Sequence, residues 1–306
     1  RLLQLGQALA QGFPVALGGG SETGLLRASR GEERLDALLQ GLDHYRDTPA
    51  DAQSALGLMH LAMGGYRPSD IDVVAAFDVD RRKVGKPLHE AIFAEPNCTR
   101  VIRDAVAAIP VTVSMGPQHD GVAAHMADWP DARAFRASDE PPVDVARVLA
   151  ETQADVLLSY LPVGSSKAVQ HYAEACLATG VSLVNCVPVF IVSDPQWGER
   201  FRAAGIPCVG DDIKSQLGAT ILHRTLVRLF ADRGVRIDRT YQLNTGGNTD
   251  FLNMLARERL ASKKISKTEA VTSQLPYDIG SDNVHVGPSD YVPWQGDNKV
   301  CFLRIE

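Results

Sequence analysis

Short runs of consecutive apolar residues recur along the chain, and each ends in polar or turn-forming residues. The four clearest runs are IDVVAAFDVD (residues 71–80), ADVLLSYLPVGSS (154–166), VSLVNCVPVF (181–190) and IPCVGDD (206–212). The stretches KAVQHYAEACLATG and DPQWGERFRAAG lie between the later runs and end in glycine, as helices commonly do. Apolar strands that alternate with helices are typical of a parallel sheet covered on both faces. The pattern predicts a doubly wound α/β domain over residues 1–235.

The hydrophobic pattern changes after the fourth run. Apolar residues from Ile213 onward recur at helical spacing and predict a long helix, for which Asp211 or Asp212 is a candidate cap. From about residue 236 the order is strand, polar loop, helix and two further strands, NVHVGP and KVCFLRIE. We therefore expect residues 236–306 to form a second α+β region with its own sheet.

Composition narrows the possible functions. The 306 residues are 45% apolar and carry a net charge of −6, which argues against nucleic-acid binding because phosphate-backbone recognition needs a clustered positive excess. No apolar run is long enough to span a membrane, and no signal-peptide layout is present. The five cysteines are widely spaced and the eight histidines lack a metal-ligand spacing. We expect a cytoplasmic protein with reduced thiols and no dedicated metal site.

The ends of the predicted strands carry the first candidate ligands. Carboxyl ends of parallel strands meet at one edge of the sheet, and in Rossmann-like domains a dinucleotide binds beyond that edge. An acid at the end of the second strand binds the ribose 2′-hydroxyl, so Asp78 indicates NAD rather than NADP, whose 2′-phosphate it would repel. The other candidate cofactor residues follow the later strands: Pro162, Gly164, Ser165, Asn185, Pro188, Asp211, Asp212 and Ser215.

A polar loop, NTGGNTD (residues 244–250), connects the first strand of the second region to a helix. An ordinary connection needs one turn residue and one cap, whereas this loop has two glycines, two asparagines and a carboxylate. Consecutive backbone N–H groups of a Gly-Gly turn that enters a helix form a natural phosphate site. The candidate phosphate contacts are Asn244, Thr245, Gly246, Gly247, Asn248 and Thr249, with Asn244 and Asp250 facing the sugar. A capped turn without a ligand is the alternative.

Four motifs in a fixed order resemble the myo-inositol-1-phosphate synthase (inositol-3-phosphate synthase) family, particularly its actinobacterial and archaeal branch. They are GDDIKSQLGATILHR, LNTGGNTDFLNML, SKKISKTEAVTS and GPSDYVPWQGDNK, and the resemblance covers roughly residues 38–306. It implies an isomerase that converts D-glucose 6-phosphate to inositol phosphate with tightly bound NAD and no net redox change. The implied steps are oxidation at C5, loss of a C6 proton, closure of C6 onto the C1 aldehyde and return of the hydride. The resemblance also implies a homotetramer, with residues 236–306 supplying catalytic and subunit contacts.

The catalytic residues that the resemblance implies are Lys263, Lys267, Lys299, Asp211 and Asp250. Lys263 and Lys267 are four residues apart and share one face of a helix, whereas Lys264 points away. Preorganised cations stabilise a developing oxyanion, and crowding or burial lowers the pKa of an ammonium group so that one lysine can act as a base. The carboxylates would keep neighbouring lysines charged or relay protons. A solvated basic face is the alternative for SKKISK taken by itself.

The chain departs from the family near its start. The family opens with a strand and a GxGNxxS-type loop that holds the NAD pyrophosphate, and counting back from LLQGLDHYRD puts this loop near residues 29–36. The sequence there is SRGEERLD, whose acids would repel a pyrophosphate. Two explanations are open. The segment PVALGGGSETG (residues 14–24) could replace the missing strand and glycine loop. Alternatively, residues 31–35 come from a shifted reading frame, and the nucleotide sequence would show this if its codons, read one base later, spell Gly-Lys-Asn-Ala-Ser. We favour the shifted frame.

The chain also stops before the family's last active-site Asp and Lys and its C-terminal helices, so we expect the polypeptide to be incomplete. Two other functions stay open. One is a homologue that cyclises another sugar phosphate to a different cyclitol, and the other is a non-catalytic protein that binds NAD or a sugar phosphate. The atypical first loop favours the binding protein. The retained lysines favour an enzyme, because a site without catalytic activity has no physical need to hold mutually repelling cations.

Overall fold

The strands before residue 213 form two parallel sheets. The computed structural model describes residues 33–49, 51–97, 101–214 and 218–306. The first sheet pairs β1 (Phe77–Asp78) with β2 (Ser114–Met115), and the second has the order β3 (Val156–Ser159), β4 (Ser182–Asn185), β5 (Cys208–Val209). The four strands expected from the apolar runs are present, although β1 occupies only two residues of the run at 71–80. Strand β2 was not predicted.

The described helices of this part are α1 (Glu33–Tyr45), α2 (Leu88–Ala91), α3 (Val145–Glu151), α4 (Ser166–Thr179) and α5 (Pro195–Ala204). Helices α4 and α5 end where the sequence predicts. Gly180 and Gly205 follow them at φ of 78° and 68°, the left-handed conformation that ends a helix without steric cost only in glycine. One buried cluster joins α4 and α5 to the second sheet through Val169, Ala173, Leu157, Leu183 and Phe201. The predicted α/β fold class is confirmed.

The two parallel sheets match the two outer parts of a doubly wound fold, whose usual strand order is 3-2-1-4-5-6. The pair β2–β1 corresponds to the 3-2 part and β3–β4–β5 to the 4-5-6 part. Leu158 and Tyr160 pack on a cluster that contains Ala76 and Val113, so the sheets are neighbours. No strand in the described ranges joins them. The described ranges do not include either segment considered for the glycine loop in full. Residues 14–24 lie outside them, as do residues 29–32 of the segment 29–36.

A mixed sheet of three described strands forms the second region. Its order is β7 (Val284–Tyr291), β6 (Thr240–Gly246), β8 (Lys299–Ile305), with β7 parallel and β8 antiparallel to β6. The accompanying helices are α6 (Ala219–Asp232), α7 (Thr249–Asn253) and α8 (Ala261–Thr272). Val227, Val271 and Val286 are fully buried where α6 and α8 meet the sheet. The domain boundary at residue 235 stays a prediction, and α6, which precedes it, packs on this second sheet.

The long helix predicted after Asp212 begins only at Ala219. The backbone N–H of Asp212 donates to the carbonyl oxygen of Val187 at 3.1 Å, so this segment is tied to the loop after β4 and not to a helix. The prediction that Asp211 or Asp212 caps the helix was wrong, because Gly218 occupies the cap position. None of the helices in the described part of the chain combines the length and hydrophobicity that a bilayer crossing requires.

Arg259 ties the second region to the edge of the parallel sheet. It lies in a 3₁₀ helix, Arg257–Leu260, and its guanidinium donates to the carbonyl oxygens of Val163 at 3.0 Å and Asp120 at 2.8 Å. The side-chain amide of Asn253 donates to the same Val163 oxygen at 2.8 Å. The fork of guanidinium N–H groups bonds several carbonyl oxygens at once. These contacts therefore hold the second region against the loop after β3.

Replacing Arg259 by Met removes these hydrogen bonds while keeping most of the apolar side-chain volume. We expect the free energy of unfolding to fall by about 2–3 kcal/mol, since a hydrogen bond to a charged group contributes about 1.5–3 kcal/mol. Urea unfolding followed by circular dichroism measures the change. Arg257→Met, at an exposed position of the same 3₁₀ helix, is the control and should change the free energy by less than about 0.5 kcal/mol. Equal effects of the two substitutions would contradict this role of Arg259.

Candidate active site

Two lysines of α8 are buried on the same face of the helix. Lys263 and Lys267 are 2% and 4% exposed, whereas Lys264 is exposed. Residues four apart lie one above the other on an α-helix, so both ammonium groups leave α8 on the same side. Burial of both side chains excludes the alternative of a solvated basic face for this pair.

Asp250 neutralises Lys263. The Lys263 Nζ lies 3.0 Å from Asp250 Oδ2 and 3.3 Å from Oδ1, and Met254 Sδ lies 2.9 Å from the same nitrogen. The two charged side chains are only 3% and 2% exposed. Removing one partner of a buried ion pair leaves an uncompensated charge in the protein interior, so each group depends on the other. Asp250 also lies in the first turn of α7, where the helix dipole favours a carboxylate.

Lys299 reaches the same end of β6 from strand β8. It pairs with Gly246 in the antiparallel ladder. Its Nζ lies 5.9 Å from the centre of the Phe251 ring, within the range of a cation–π contact. Because Phe251 directly follows Asp250, Lys299 and the Lys263–Asp250 pair flank the same turn of α7.

Lys267 lies near the polar end of β6. Burial raises the pKa of the Cys301 thiol, and the nearby charge of Lys267 opposes that rise. Cys301 is opposite Asn244 in the ladder between β8 and β6. The three lysines that the sequence singled out therefore converge on one end of the second sheet.

A second carboxylate reaches α8 from the parallel sheet. Asp212 follows β5, and its Oδ2 accepts from Lys214 Nζ at 2.8 Å and from Ser266 Oγ at 3.0 Å. Ser266 precedes Lys267, so this contact joins the predicted cofactor edge to the lysine helix. Lys214 and Ser266 were not predicted, although each lies within two residues of a predicted site residue in its motif. Ser215, another predicted cofactor contact, lies outside the described residues.

Asp211 holds the loop after β4. Its carboxylate accepts from the backbone N–H groups of Ile191, Val192 and Ser193 at 3.0–3.2 Å and from Asn185 Nδ2 at 2.7 Å. Asp211 and Asn185, both predicted as cofactor residues, therefore lie together at the sheet edge. A carboxylate that accepts four hydrogen bonds from a loop fixes the conformation of that loop. The proton-relay role of Asp211 stays a prediction.

Packing explains both glycines of the NTGGNTD loop. A Cβ on Gly247 would lie 2.3 Å from the carbonyl oxygen of Val292 and 2.6 Å from the nitrogen of Gly296, and a Cβ on Gly246 would lie 2.7 Å from the Phe251 ring. The Gly247 N–H donates to the Gly296 carbonyl oxygen at 2.9 Å. The loop is held so closely against the turn before β8 that no side chain fits at either position.

Hydrogen bonds fix the polar side chains of the same loop. The Asn248 side chain accepts from the backbone N–H of Phe251 at 3.1 Å, as an N-cap does, and donates to Asp297 at 2.9 Å. Asn244 donates to the carbonyl oxygen of Gly287 at 2.9 Å. The other candidate phosphate contacts, Thr245, Gly246, Gly247 and Thr249, lie at the end of β6 and the start of α7. The loop is therefore a capped turn, and its phosphate contact stays a prediction.

A cleft of about 310 Å³ opens at the carboxyl ends of β3 and β4. Gly164 and Pro188, both predicted, line it together with Arg259 and Ser262 from the second region. Gly164 has a φ of 86°, and a Cβ there would lie 2.5 Å from the Arg259 side chain. The predicted residues Pro162 and Ser165 are both buried. They flank Gly164 and Val163, whose carbonyl oxygen accepts from Arg259. The cleft is thus shared by the sheet edge and the second region.

Asp120 occupies the N-terminus of α4. Its carboxylate oxygens accept from the backbone N–H groups of Lys167 at 2.9 Å and Ala168 at 3.0 Å. A helix N-terminus favours an anion, and here the chain supplies the anion itself. Sequence reasoning missed this contact, which joins residues 47 positions apart.

Asp78 ends β1, as the sequence predicts. Its Oδ1 accepts from the backbone N–H groups of Val79 and Asp80 at 2.6 and 2.8 Å, and its Oδ2 lies 3.9 Å from Lys83 Nζ. Burial raises the pKa of nearby Asp36 to about 7, with Lys83 opposing and Asp78 adding to the rise. Lys83 and Asp36 were not predicted. Because Lys83 offsets negative charge here, the preference for NAD over NADP drawn from Asp78 is weaker than the sequence implied.

Proteins of known family are similar in sequence to this chain over most of its length. The sequence profile of the myo-inositol-1-phosphate synthase family matches residues 218–306. The inositol-3-phosphate synthase of Mycobacterium tuberculosis (strain CDC 1551 / Oshkosh) is 53% identical over 270 residues, which cover 88% of this chain and 72% of that protein. The inositol-3-phosphate synthase of Corynebacterium glutamicum is 50% identical over 275 residues, covering 88% and 74%. The chain belongs to the myo-inositol-1-phosphate synthase family.

Two solved structures share the fold of this chain. The crystal structure of Ari2 has a TM-score of 0.69 to this chain at 33% identity and covers 89% of this chain and 73% of its own. The inositol-3-phosphate synthase of Caenorhabditis elegans has a TM-score of 0.62 at 15% identity, covers 98% of this chain and 64% of its own, and shares the fold. The family profile and the sequence relatives confirm the family resemblance carried by the four sequence motifs.

Replacing Gly247 by Ala forces a Cβ against backbone atoms that cannot shift cheaply. We expect the free energy of unfolding to fall by at least about 2 kcal/mol, since overpacking typically costs about 1–3 kcal/mol. Gly198→Ala is the control, because its Cβ in helix α5 would lie 3.4 Å from the nearest atom, Val192 O. That substitution should be neutral or stabilise by up to about 1 kcal/mol. Thermal unfolding compares the two, and a Gly247→Ala protein as stable as wild type would contradict the close packing.

Proposed function

We propose that this chain is an NAD-dependent inositol-3-phosphate synthase that converts D-glucose 6-phosphate to 1D-myo-inositol 3-phosphate. The observation that carries the proposal is the buried Lys263–Asp250 pair, with Lys267 and Lys299 at the same end of β6. The names of the mycobacterial and corynebacterial relatives support this activity. A buried cluster of cations suits a reaction in which negative charge develops on sugar oxygens.

Residues at the edge of the parallel sheet suit both the adenosine ribose and the nicotinamide ring of NAD. Asp78 offers a carboxylate acceptor for the adenosine ribose, and the cleft beside Gly164 and Pro188 suits the nicotinamide ring. Because Asp120 occupies the N-terminus of α4, we assign the pyrophosphate to another segment. When bound, NAD supplies a reversible acceptor for a hydride from the sugar.

We assign the substrate phosphate to the NTGGNTD loop, residues 244–250. The start of α7 carries the positive end of a helix dipole, and Asn248 and Thr249 add polar groups. Asp250 belongs to the same loop and pairs with Lys263. A phosphate bound at the start of α7 would therefore hold the sugar carbons beside the lysines, which is the positioning that an intramolecular ring closure requires.

We assign proton removal at C6 to Lys267. Lys263 is held in its charged form by Asp250, so it suits stabilisation of the enolate and alkoxide oxygens, as does Lys299. Lys267 is buried on the same face of α8 as Lys263, and a lysine whose pKa is lowered by its surroundings can act as a general base. The same ammonium group can then return a proton to the alkoxide formed by ring closure.

We further propose that the protein acts in the cytoplasm as a homotetramer. Strands β7 and β8 are the edges of the second sheet, and edge strands present backbone groups that another chain can pair with. On the face of this sheet, Phe302 is 60% exposed and lies opposite Leu243 in the β8–β6 ladder. Both features support a subunit contact made by the second region.

The test of this function is turnover without an external reductant. We expect the purified protein, incubated with D-glucose 6-phosphate and NAD⁺, to form an inositol phosphate, identified by chromatography against cyclitol phosphate standards. A different cyclitol phosphate would contradict the proposed product. A protein that binds NAD and the sugar phosphate but turns nothing over would be a binding homologue instead.

Replacing Lys267 by Ala should separate substrate chemistry from cofactor binding. We expect kcat to fall at least about a hundredfold, as loss of a general acid–base group usually causes, while the NAD content stays unchanged. Lys264→Ala, at an exposed position of the same helix, is the matched control and should keep wild-type kcat. Steady-state kinetics and spectrophotometry of released nucleotide measure the two quantities. A loss of NAD from Lys267→Ala would reassign the lysine to the cofactor.

A further inference from the structure

A chain of buried side chains runs along β6 on the face that meets α6. His223 is fully buried, and its Nε2 lies 2.8 Å from Thr240 Oγ1 while its Nδ1 lies 3.3 Å from Gln242 Oε1. Gln242 Nε2 donates to Asn244 Oδ1 at 3.1 Å. Asn244 Nδ2 donates to the carbonyl oxygen of Gly287 at 2.9 Å. The chain therefore connects α6 to the first residue of the NTGGNTD loop.

The carbonyl group at one end sets the direction of every hydrogen bond. The Gly287 oxygen only accepts, so the Asn244 amide must turn its NH₂ group toward it and its oxygen toward Gln242. Gln242 must then donate to Asn244 and turn its own oxygen toward His223. His223 must therefore carry a proton on Nδ1. A reversed amide at any step would put two acceptors or two donors against each other in a buried site.

The other end of the chain accommodates this direction. His223 Nε2 and the Arg304 carbonyl oxygen each lie 2.8 Å from Thr240 Oγ1. The Thr240 hydroxyl has one proton to donate. It donates to Nε2 of His223 when the imidazole is neutral. When the imidazole is protonated, Nε2–H donates to Thr240 and the hydroxyl donates to the Arg304 carbonyl oxygen. Burial lowers the pKa of His223 to about 4, against a smaller opposing effect of Gln242, so the ring is neutral at pH 7. In both states the proton on Nδ1 remains.

The last side chain of the series lies at the lysine cluster. Asn244 is opposite Cys301 in the ladder, and the charge of Lys267 acts on the Cys301 thiol. The orientation of the Asn244 amide decides whether a sugar phosphate beside it meets a donor or an acceptor. The Gly287 carbonyl group sets that orientation, and Gln242 and His223 hold the Asn244 side chain in it from the side of α6.

We propose that His223 is a positioning residue, which acts through Gln242 to hold the Asn244 side chain in place toward the substrate. This inference rests on the proposed function, in which Asn244 contacts the sugar phosphate. His223 itself touches neither substrate nor cofactor. Its loss should weaken binding of the sugar phosphate while leaving the cofactor in place, because Gln242 then loses the donor that holds its side chain against Asn244, and Asn244 is positioned by Gly287 alone.

Calorimetry of the NAD-loaded protein with D-glucose 6-phosphate tests the proposal without requiring turnover. His223→Leu removes the donor, and we expect Kd to rise about tenfold, the effect of losing one well-oriented hydrogen bond. His223→Asn puts an amide NH₂ group close to the position of the Nδ1–H and should restore most of the affinity. Thr240→Val is the matched control, because it removes only the far end of the chain, and its Kd should stay within about twofold of wild type. An unchanged Kd in folded His223→Leu would overturn the proposal.

Neutron diffraction from deuterated crystals gives a readout that does not depend on any substitution. We expect deuterium on Nδ1 of His223 at neutral pH, the ND₂ group of Gln242 facing Asn244, and the ND₂ group of Asn244 facing Gly287. Deuterium on Nε2 alone, or a reversed Gln242 amide, would overturn the proposal even if the Leu variant failed to fold. If wild type binds the sugar phosphate but makes no inositol phosphate, the proposed function fails, and the binding series still decides the role of His223.

Discussion

The buried ion pair between Lys263 and Asp250 is the constraint on which the rest of the site depends. Two opposite charges at 3% and 2% exposure are tolerated inside a protein only while they stay together. The NTGGNTD loop brings Asp250 to the start of α7, and α8 brings Lys263 to the same point. The close approach of Gly247 to the turn before β8 therefore matters for electrostatics as well as for packing, because it fixes the backbone that carries the carboxylate.

The candidate site belongs to the boundary between the two regions and not to either one alone. Asp212 extends from the end of β5 to Ser266 on the lysine helix, and Arg259 extends from the second region to carbonyl groups beside β3. These contacts put α8 at the edge of the parallel sheet, where doubly wound folds bind their ligands. A cofactor at that edge and a sugar phosphate at the glycine loop would therefore share one cleft.

Polar groups inside the second region are stabilised in two physically different ways. The lysines and carboxylates are stabilised by opposite charge, whereas Thr240, Gln242 and Asn244, all buried on one face of β6, are stabilised by hydrogen bonds that must point in a consistent direction. A polar network in a low-dielectric interior is stable when every member is satisfied and costly when one is not. This requirement explains why His223, which is remote from the lysines, is tied to the same strand.

The sequence by itself determined the features that depend on neighbours along the chain: the apolar strands, the glycine ends of α4 and α5, the shared face of Lys263 and Lys267, and, through the order of four motifs, the family. It misplaced the start of α6, because a backbone bond from Asp212 to the loop after β4 competes with the helix there. Only the tertiary structure decided the partner of each buried polar group, as with Asp250 and Lys263, Asp120 and the N-terminus of α4, Lys83 and Asp78, and His223 and Gln242. Such partners lie on different elements, and hydrophobic periodicity reports which face of an element is buried but not which charge or amide of another element it meets.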